Sequence, residues 1–199
     1  VGDYVRQLAL VSTEGDGGTR LLTRAFNDLG AATWSPDGRR LAAAGNLEPG
    51  GDQQRRQAIY LLESEAEDAA PRALFWLAEM RGNDVAWSPD GSRIAVCGHD
   101  DTVKGHYGFQ KLWIVDAETG RGDCVSAAYD VSLGDYSRNQ DMRRYGGPDG
   151  PRWLPDGRAL LVLTNERGTV NLARFDLEHR SLTPITEGDH SICAFTLSE

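Results

Sequence analysis

Short apolar runs alternate with clusters of turn-forming residues along the chain, at a spacing too tight for helices and suited to antiparallel strands. Leu41-Ala42-Ala43, Ile94-Ala95-Val96 and Leu160-Leu161-Val162 each begin seven residues after a tryptophan. A second apolar run follows each of them: Ile59-Tyr60-Leu61-Leu62, Leu112-Trp113-Ile114-Val115 and Leu172-Ala173-Arg174-Phe175. Arg72 to Leu77, Ser181 to Ile185 and a shorter stretch around Asp123-Cys124-Val125 add a further strand to each set. None of these segments has the i, i+3, i+4, i+7 spacing of an amphipathic helix.

The sets are copies of one unit. Trp34-Ser35-Pro36-Asp37-Gly38 recurs as Trp87-Ser88-Pro89-Asp90-Gly91 and, altered, as Trp153-Leu154-Pro155-Asp156-Gly157; a worn fourth copy opens at Phe195-Thr196-Leu197-Ser198-Glu199. The intervals are 53, 66 and 42 residues, so the unit is about 42 residues with inserts in the first two copies. In each corner Pro presets φ, Asp hydrogen-bonds the backbone beyond it, and Gly supplies the positive φ that closes the turn. Four short strands per unit of this length predict a propeller blade. The expected fold class is all-β: a β-propeller segment with about three full four-stranded blades plus partial blades at both ends. The expected division is a partial blade over 1–30, blades over 31–83, 84–148 and 149–192, and the first strand of another blade over 193–199. Within 1–30, Val5 to Thr13 and Thr19 to Arg24 read as the last two strands of a preceding blade.

A blade buries its faces only against neighbouring blades, and propellers close with four to eight of them. Three and a half blades therefore predict a segment of a longer protein, terminal strands combining into a fourth blade, or a second chain completing the ring. The first is favoured, since the chain starts without Met and stops in mid-repeat.

Composition narrows the partners. With 30 acidic against 21 basic side chains, a net charge of -9 and no basic block, the chain lacks the electrostatic footprint of a nucleic-acid binder. No apolar run approaches the roughly 20 residues that span a bilayer, and Val1-Gly2-Asp3-Tyr4 has no signal-peptide anatomy. No membrane partner and no cofactor are expected. Cys97, Cys124 and Cys193 show no CxxC spacing and read as small apolar residues rather than a disulfide framework or a zinc knuckle.

The candidate chemistry lies in the inserts. In an up-and-down blade the Pro-Asp-Gly turns share one face, so inserts Gly45 to Gln57, Gly98 to Phe109 and Ala128 to Pro148 are expected to crowd the other. Loops gathered on a rigid scaffold are where binding is usually carried. His99, Asp100, Asp101 and His106 are metal-ligand types, but their spacing fits no standard motif and they read as solvated loop residues; no metal is predicted. Asp130, Asp135 and Asp141 with Arg138, Arg143 and Arg144 form either a charged rim for peptide termini or a surface ion-pair network. Tyr136 and Tyr145 are either aromatic anchors or pins for the loop. From these, Asp135, Arg143, Arg144 and Tyr145 are taken as the substrate-binding candidates. Trp34, Trp87 and Trp153 read as packing between blades, and Asp37, Asp90 and Asp156 as turn formers. No catalytic residue is assigned, because no serine lies in a G-x-S-x-G elbow.

The corner motif, the apolar strand after it, and Leu112-Trp113-Ile114-Val115-Asp116-Ala117-Glu118-Thr119-Gly120 resemble the TolB-type, WD40-like propeller repeat. That repeat occurs in TolB-like periplasmic proteins and in the N-terminal propeller of prolyl-oligopeptidase-family serine peptidases. Gly98-His99-Asp100-Asp101, the stretch from Tyr129 to Asp141, and Leu182-Thr183-Pro184-Ile185-Thr186-Glu187-Gly188 are similar to the acylaminoacyl-peptidase-like branch. The resemblance implies a non-catalytic propeller that covers an α/β-hydrolase domain and admits short or unfolded peptides. Its partners would be peptide substrates and that hydrolase domain. The alternative is a TolB-like protein-protein interaction propeller. A peptidase favours the cytoplasm and a TolB-like protein the periplasm.

Overall fold

The computed structural model describes residues 7–15, 18–23, 29–30, 32–66, 70–80, 85–102, 108–134, 150–192 and 195–198. Among these residues every regular element is a strand except one 3-10 turn, Gly51–Gln53. A hairpin of β1 (Ala9–Val11) and β2 (Thr19–Leu21) is followed by three antiparallel sheets. The first holds β3 (Thr33–Trp34), β4 (Arg40–Gly45), β5 (Gln57–Glu63) and β6 (Arg72–Leu77) in sequence order. The second holds β7 (Glu79–Met80), β8 (Ala86–Trp87), β9 (Arg93–His99), β10 (Lys111–Asp116) and β11 (Gly122–Cys124). The third holds β12 (Ser132–Leu133), β13 (Arg152–Trp153), β14 (Ala159–Glu166), β15 (Thr169–Asp176) and β16 (Ser181–Pro184).

The first strand of each repeat comes in two pieces laid along one partner. In the second sheet Glu79 pairs with His99 and Trp87 with Ile94, both on β9. In the third, Ser132 pairs with Asn165 and Trp153 with Leu160, both on β14. The first sheet repeats the plan with a single bridge, Leu29 to Gly45, before Trp34 meets Leu41. Counting each pair of pieces as one strand, all three sheets are four-stranded blades. This pairing differs from the expected divisions: Glu79–Met80 lies in the second sheet rather than in a blade ending at 83, and Ser132–Leu133 lies in the third rather than in one ending at 148. The reason is local. Each leading piece is only one or two residues long and is separated in sequence from the Trp that marks its strand.

The end of the chain also differs from expectation. Residues 195–198 form no strand; instead Ser191 bridges Val170 in parallel and Val170 N donates to His190 O at 2.9 Å.

The core lies between sheets. Ala42, Ala44, Ile59 and Leu61 of the first sheet meet Met80, Trp87, Ile94 and Val96 of the second. Ala95, Cys97, Leu112 and Ile114 on its other face meet Leu133, Trp153, Leu160, Val162 and Phe175 of the third. Leu8, Leu10 and Leu22, in and beside the β1–β2 hairpin, cover Leu41, Tyr60 and Leu62. Because both faces of β4, β9 and β14 are covered, these strands read as unbroken apolar runs.

The Trp-to-Gly corners are equivalent. Ser35 N donates to Arg40 O and Ser88 N to Arg93 O, both at 2.8 Å, while Gly38 N and Gly91 N close back on the serine carbonyls at 2.9 Å. Leu154 and Gly157 reproduce both bonds in the third corner. Gly38, Gly91 and Gly157 have φ between 66° and 70°, the left-handed region that a side chain would strain. The Ser35 and Ser88 hydroxyls each donate to the aspartate two residues on, at 2.6 Å. These bonds, followed by backbone N–H donors from Arg39 and Ser92, hold both carboxyls below the usual range, that of Asp90 at about 2.

Candidate functional site

The second and third strands of each repeat are joined at the ends of the sheets opposite the corners, β4 to β5, β9 to β10, and β14 to β15 through the tight turn at Arg167-Gly168. The first connection is a built loop. Asn46 is buried, donating through Nδ2 to Arg56 O at 2.9 Å and accepting from Glu48 N at 3.0 Å; the Tyr60 hydroxyl accepts from Leu47 N at 3.0 Å. A Cβ on Gly51 would stand 2.5 Å from the Asn46 side chain, so the close approach requires glycine. In the second connection Asp100 Oδ1 accepts from Thr102 N at 3.0 Å and from the Thr102 hydroxyl.

The third insert emerges elsewhere than expected. After β11, residues 125–131 cross to the third sheet, where the Tyr129 hydroxyl donates to Arg180 O at 3.1 Å and accepts from Leu182 N at 2.9 Å. The chain then forms β12, leaves at Gly134, and returns at Gly150 to form β13. The excursion therefore interrupts the leading strand of the third repeat instead of linking two blades. The leading strands of neighbouring repeats touch one another: Trp87 Nε1 donates to Thr33 O at 3.2 Å and Trp153 Nε1 to Ala86 O at 2.9 Å. Gly134 and Gly150 thus both stand beside the row of leading strands, the innermost position of a propeller. Asp135, Arg143, Arg144 and Tyr145, with Tyr136, Arg138 and Asp141, lie outside the described residues, as do His106 and Cys193.

Beside this tether is a buried polar group. His99, the last residue of β9, is 4% exposed and not a solvated loop residue as its sequence context predicted. Its Nδ1 lies 3.0 Å from Asp100 O, and since a carbonyl only accepts, Nδ1 carries the proton. Nε2 then faces Glu79 Oε2 at 3.6 Å, an attractive contact when the ring holds a second proton. Asp100 is partly exposed and Asp101 exposed, as expected. Gln110 is fully buried, its N donating to Ser132 Oγ at 3.1 Å and its O accepting from Leu133 N at 2.8 Å. Its side-chain amide has no hydrogen-bond partner among the described residues. Sequence reasoning missed Glu79 and Gln110, because a lone polar residue beside a strand reads as a connector. The burial of Gln110 follows from its contacts with Ser132 and Leu133 of the third sheet, and Glu79 meets His99 across the second, neither being a neighbour in sequence.

At the third repeat the short turn leaves a surface cavity of about 400 Å³ lined by Thr164, Glu166, Asn171, Thr186, Glu187 and Asp189. Thr186 Oγ1 donates to Asn171 Oδ1 at 3.0 Å, and Asn171 Nδ2 to Gly188 O at 3.2 Å, folding the 186–189 loop over it. Among the described residues no three His, Cys, Asp or Glu side chains converge as metal ligands. Cys97 is buried in the core and burial pushes the Cys124 thiol up, neither of which favours thiolate chemistry. What the described residues at this end of the molecule offer is shaped, hydrogen-bonding loop surface.

Known proteins share this architecture. The family described as WD domain, G-beta repeat matches residues 83–104, a stretch that includes β8, the second corner and β9. The crystal structure of TolB from Acinetobacter baumannii superposes with a TM-score of 0.62 at 16% identity, over 93% of this chain and 38% of that one. The chain folds as β-propeller repeats. These repeats also superpose on a Mycobacterium tuberculosis puromycin-hydrolyzing peptidase with a TM-score of 0.64 at 18% identity, over 87% of this chain and 24% of that one. Dipeptidyl-peptidase 5 of Porphyromonas gingivalis is 24% identical over 177 residues, 83% of this chain and 22% of that protein. The propeller repeats in hand thus span well under half the length of each of these relatives. In this chain Trp87 and Trp153 pack between sheets while Trp34 is half exposed, and the three corner aspartates serve the turns: Asp37, Asp90 and Asp156 accept the backbone N–H two residues on at 2.9 to 3.1 Å.

Proposed function

We propose that this chain is the non-catalytic propeller part of a prolyl-oligopeptidase-family serine peptidase, where it gates peptide access and docks an α/β-hydrolase domain. The observation that carries the reading is the similarity to a dipeptidyl-peptidase along 83% of the chain. Two features support it. The sequence has no G-x-S-x-G elbow, so hydrolysis belongs to residues outside it. The longest insert in the sequence, with Asp135, Arg143, Arg144 and Tyr145, falls between Gly134 and Gly150, both beside the leading strand of the third repeat, where a filter on entering peptides would stand.

The complete reading frame is the first test. An elbow within about 250 residues of the propeller, whose serine is required for peptide cleavage, supports the reading; a frame without one overturns it. In such a protein, replacing residues 135–149 by a short Gly-Ser linker is expected to raise kcat/KM for long peptides relative to short ones. The 199 residues alone are expected to cleave nothing.

The superposition on TolB favours a second reading, a propeller that binds another protein through its loop-bearing end. A signal peptide upstream and no hydrolase downstream would select it.

A further inference from the structure

Where the second strand of a repeat gives way to its connection, two of the three repeats carry an equivalent polar pair. Asn46 and His99 each stand twelve residues after the corner tryptophan, and Gln57 and Gln110 each twenty-three. Both pairs lie one residue beyond the last rungs of their ladders, Gly45 with Ala58 and Gly98 with Lys111. In the third repeat, whose turn is tight, Asn165 faces Val170 instead.

In the first repeat protein groups serve both members. Asn46 bonds Arg56 O and Glu48 N, and Gln57 Oε1 accepts from Met80 N at 3.0 Å, which fastens the leading strand of the next repeat. In the second repeat the main chain does the fastening. Leu133, the counterpart of Met80 in the third sheet, donates its N–H to Gln110 O at 2.8 Å. The Gln110 carboxamide is thereby released: its Nε2 and Oε1 are buried with no hydrogen-bond partner among the described residues. His99 Nδ1 is engaged with Asp100 O, while Nε2 is buried and equally without a hydrogen bond, Glu79 Oε2 at 3.6 Å standing beyond reach. Cys97 and Leu112, two residues away on the same strands, belong to the core shared with Leu133, so His99 and Gln110 are on the face turned toward the third sheet.

We propose that His99 and Gln110 form a binding site for one small neutral group that both donates and accepts hydrogen bonds, the chemistry shared by a water molecule and an amide. Its donors serve His99 Nε2 and Gln110 Oε1, and its acceptor takes Gln110 Nε2. A cation offers no acceptor to Gln110 Nε2, and an anion offers no donor to the two lone pairs. Buried polar atoms are costly when left unpaired, and the burial of both residues limits the occupant to a single small group. The site is the root of the second insert, since the chain enters the insert at His99 and leaves it at Gln110, so its occupant ties the two ends together. The inference does not depend on the peptidase reading, as it concerns one pair of side chains and their counterparts in the first repeat.

The test is NMR of the whole chain with labelled side-chain nitrogens, the Gln57 amide serving as internal comparison. The expected result is a nuclear Overhauser contact between water and the Gln110 Nε2 protons with the sign of a long-lived neighbour, absent at Gln57. Titration with acetamide separates the two sources. A saturable shift of the Gln110 amide and of His99 Nε2, with loss of the water contact, assigns the site to an amide; a water contact that persists unshifted assigns it to water. Gln110→Met is expected to abolish whichever response is seen, and the wild-type spectra decide the matter even if that variant does not fold. The proposal is overturned if Gln110 shows neither a long-lived water nor a saturable shift, if Gln57 responds equally, or if a through-bond coupling joins the Gln110 amide directly to another side chain.

Discussion

Trp34 and Trp87 hold the same place in the same Trp-Ser-Pro-Asp-Gly corner and pair in the same register, with Leu41 and Ile94. One is half exposed and the other is buried, hydrogen-bonded and covered by Arg40. Nothing within the pentad accounts for the difference. The corner shapes the turn, and the preceding repeat decides what the tryptophan contributes. The third corner makes the complementary point: with Leu154 in place of serine it keeps the same two backbone bonds, so the hydroxyl adds to the turn without creating it.

The largest expected effect is at the buried rings. Trp87→Ala or Trp153→Ala is expected to cost about 3–5 kcal/mol in urea unfolding, since each leaves a cavity at a seam. Trp34→Ala is expected to cost about 1–2 kcal/mol, because roughly half its surface already faces water. Equal losses at Trp34 and Trp87 would remove the comparison.

Next is Ser88→Ala, expected to cost about 1–3 kcal/mol by stripping a fully buried hydroxyl that accepts from Arg93 N at 2.9 Å. Part of that loss depends on pH. The Asp90 carboxyl is held at about 2 in the folded chain, below its unfolded value. Its contribution is therefore fully present above about pH 4 and disappears as pH falls through about 2. Chemical unfolding at pH 5 and at pH 2 should show the gap between wild type and Ser88→Ala narrowing in acid. A gap that widens there contradicts the assignment.

Smaller effects separate the two arginines that cover the buried rings, Arg40 over Trp87 and Arg93 over Trp153. Arg93→Met is expected to cost about 1–2 kcal/mol, since Arg93 also donates to Gly157 O at 2.9 Å. Arg40→Met is expected to cost about 0.5–1 kcal/mol, because its other partner, Glu118 at 3.4 Å, is solvent-exposed. Thermal melts of both variants in the Trp34→Phe background should leave this order unchanged, as Trp34 lies beyond both contacts.

Much of the fold was legible in the chain. Leu41, Ile94 and Leu160 announce second strands by their distance from a tryptophan, and Pro-Asp-Gly announces the turn between, because strand period and turn chemistry act over a few residues. The candidate site was less so. The insert from Gly45 to Gln57 was legible as a connection between second and third strands, but the one from Ala128 to Pro148, expected at the face opposite the corners, falls between the two pieces of a leading strand. Ser132-Leu133 is too short a strand to signal itself, and its partner, β14, lies some 30 residues further on.

The repeat and its corners follow from the order of residues alone, since apolar spacing, proline and glycine constrain the backbone where they stand. The division of each leading strand, the burial of His99 and Gln110, and the unequal burial of the three corner tryptophans were decided by tertiary structure. Each depends on which surface a neighbouring sheet covers, and that neighbour is a different stretch of chain.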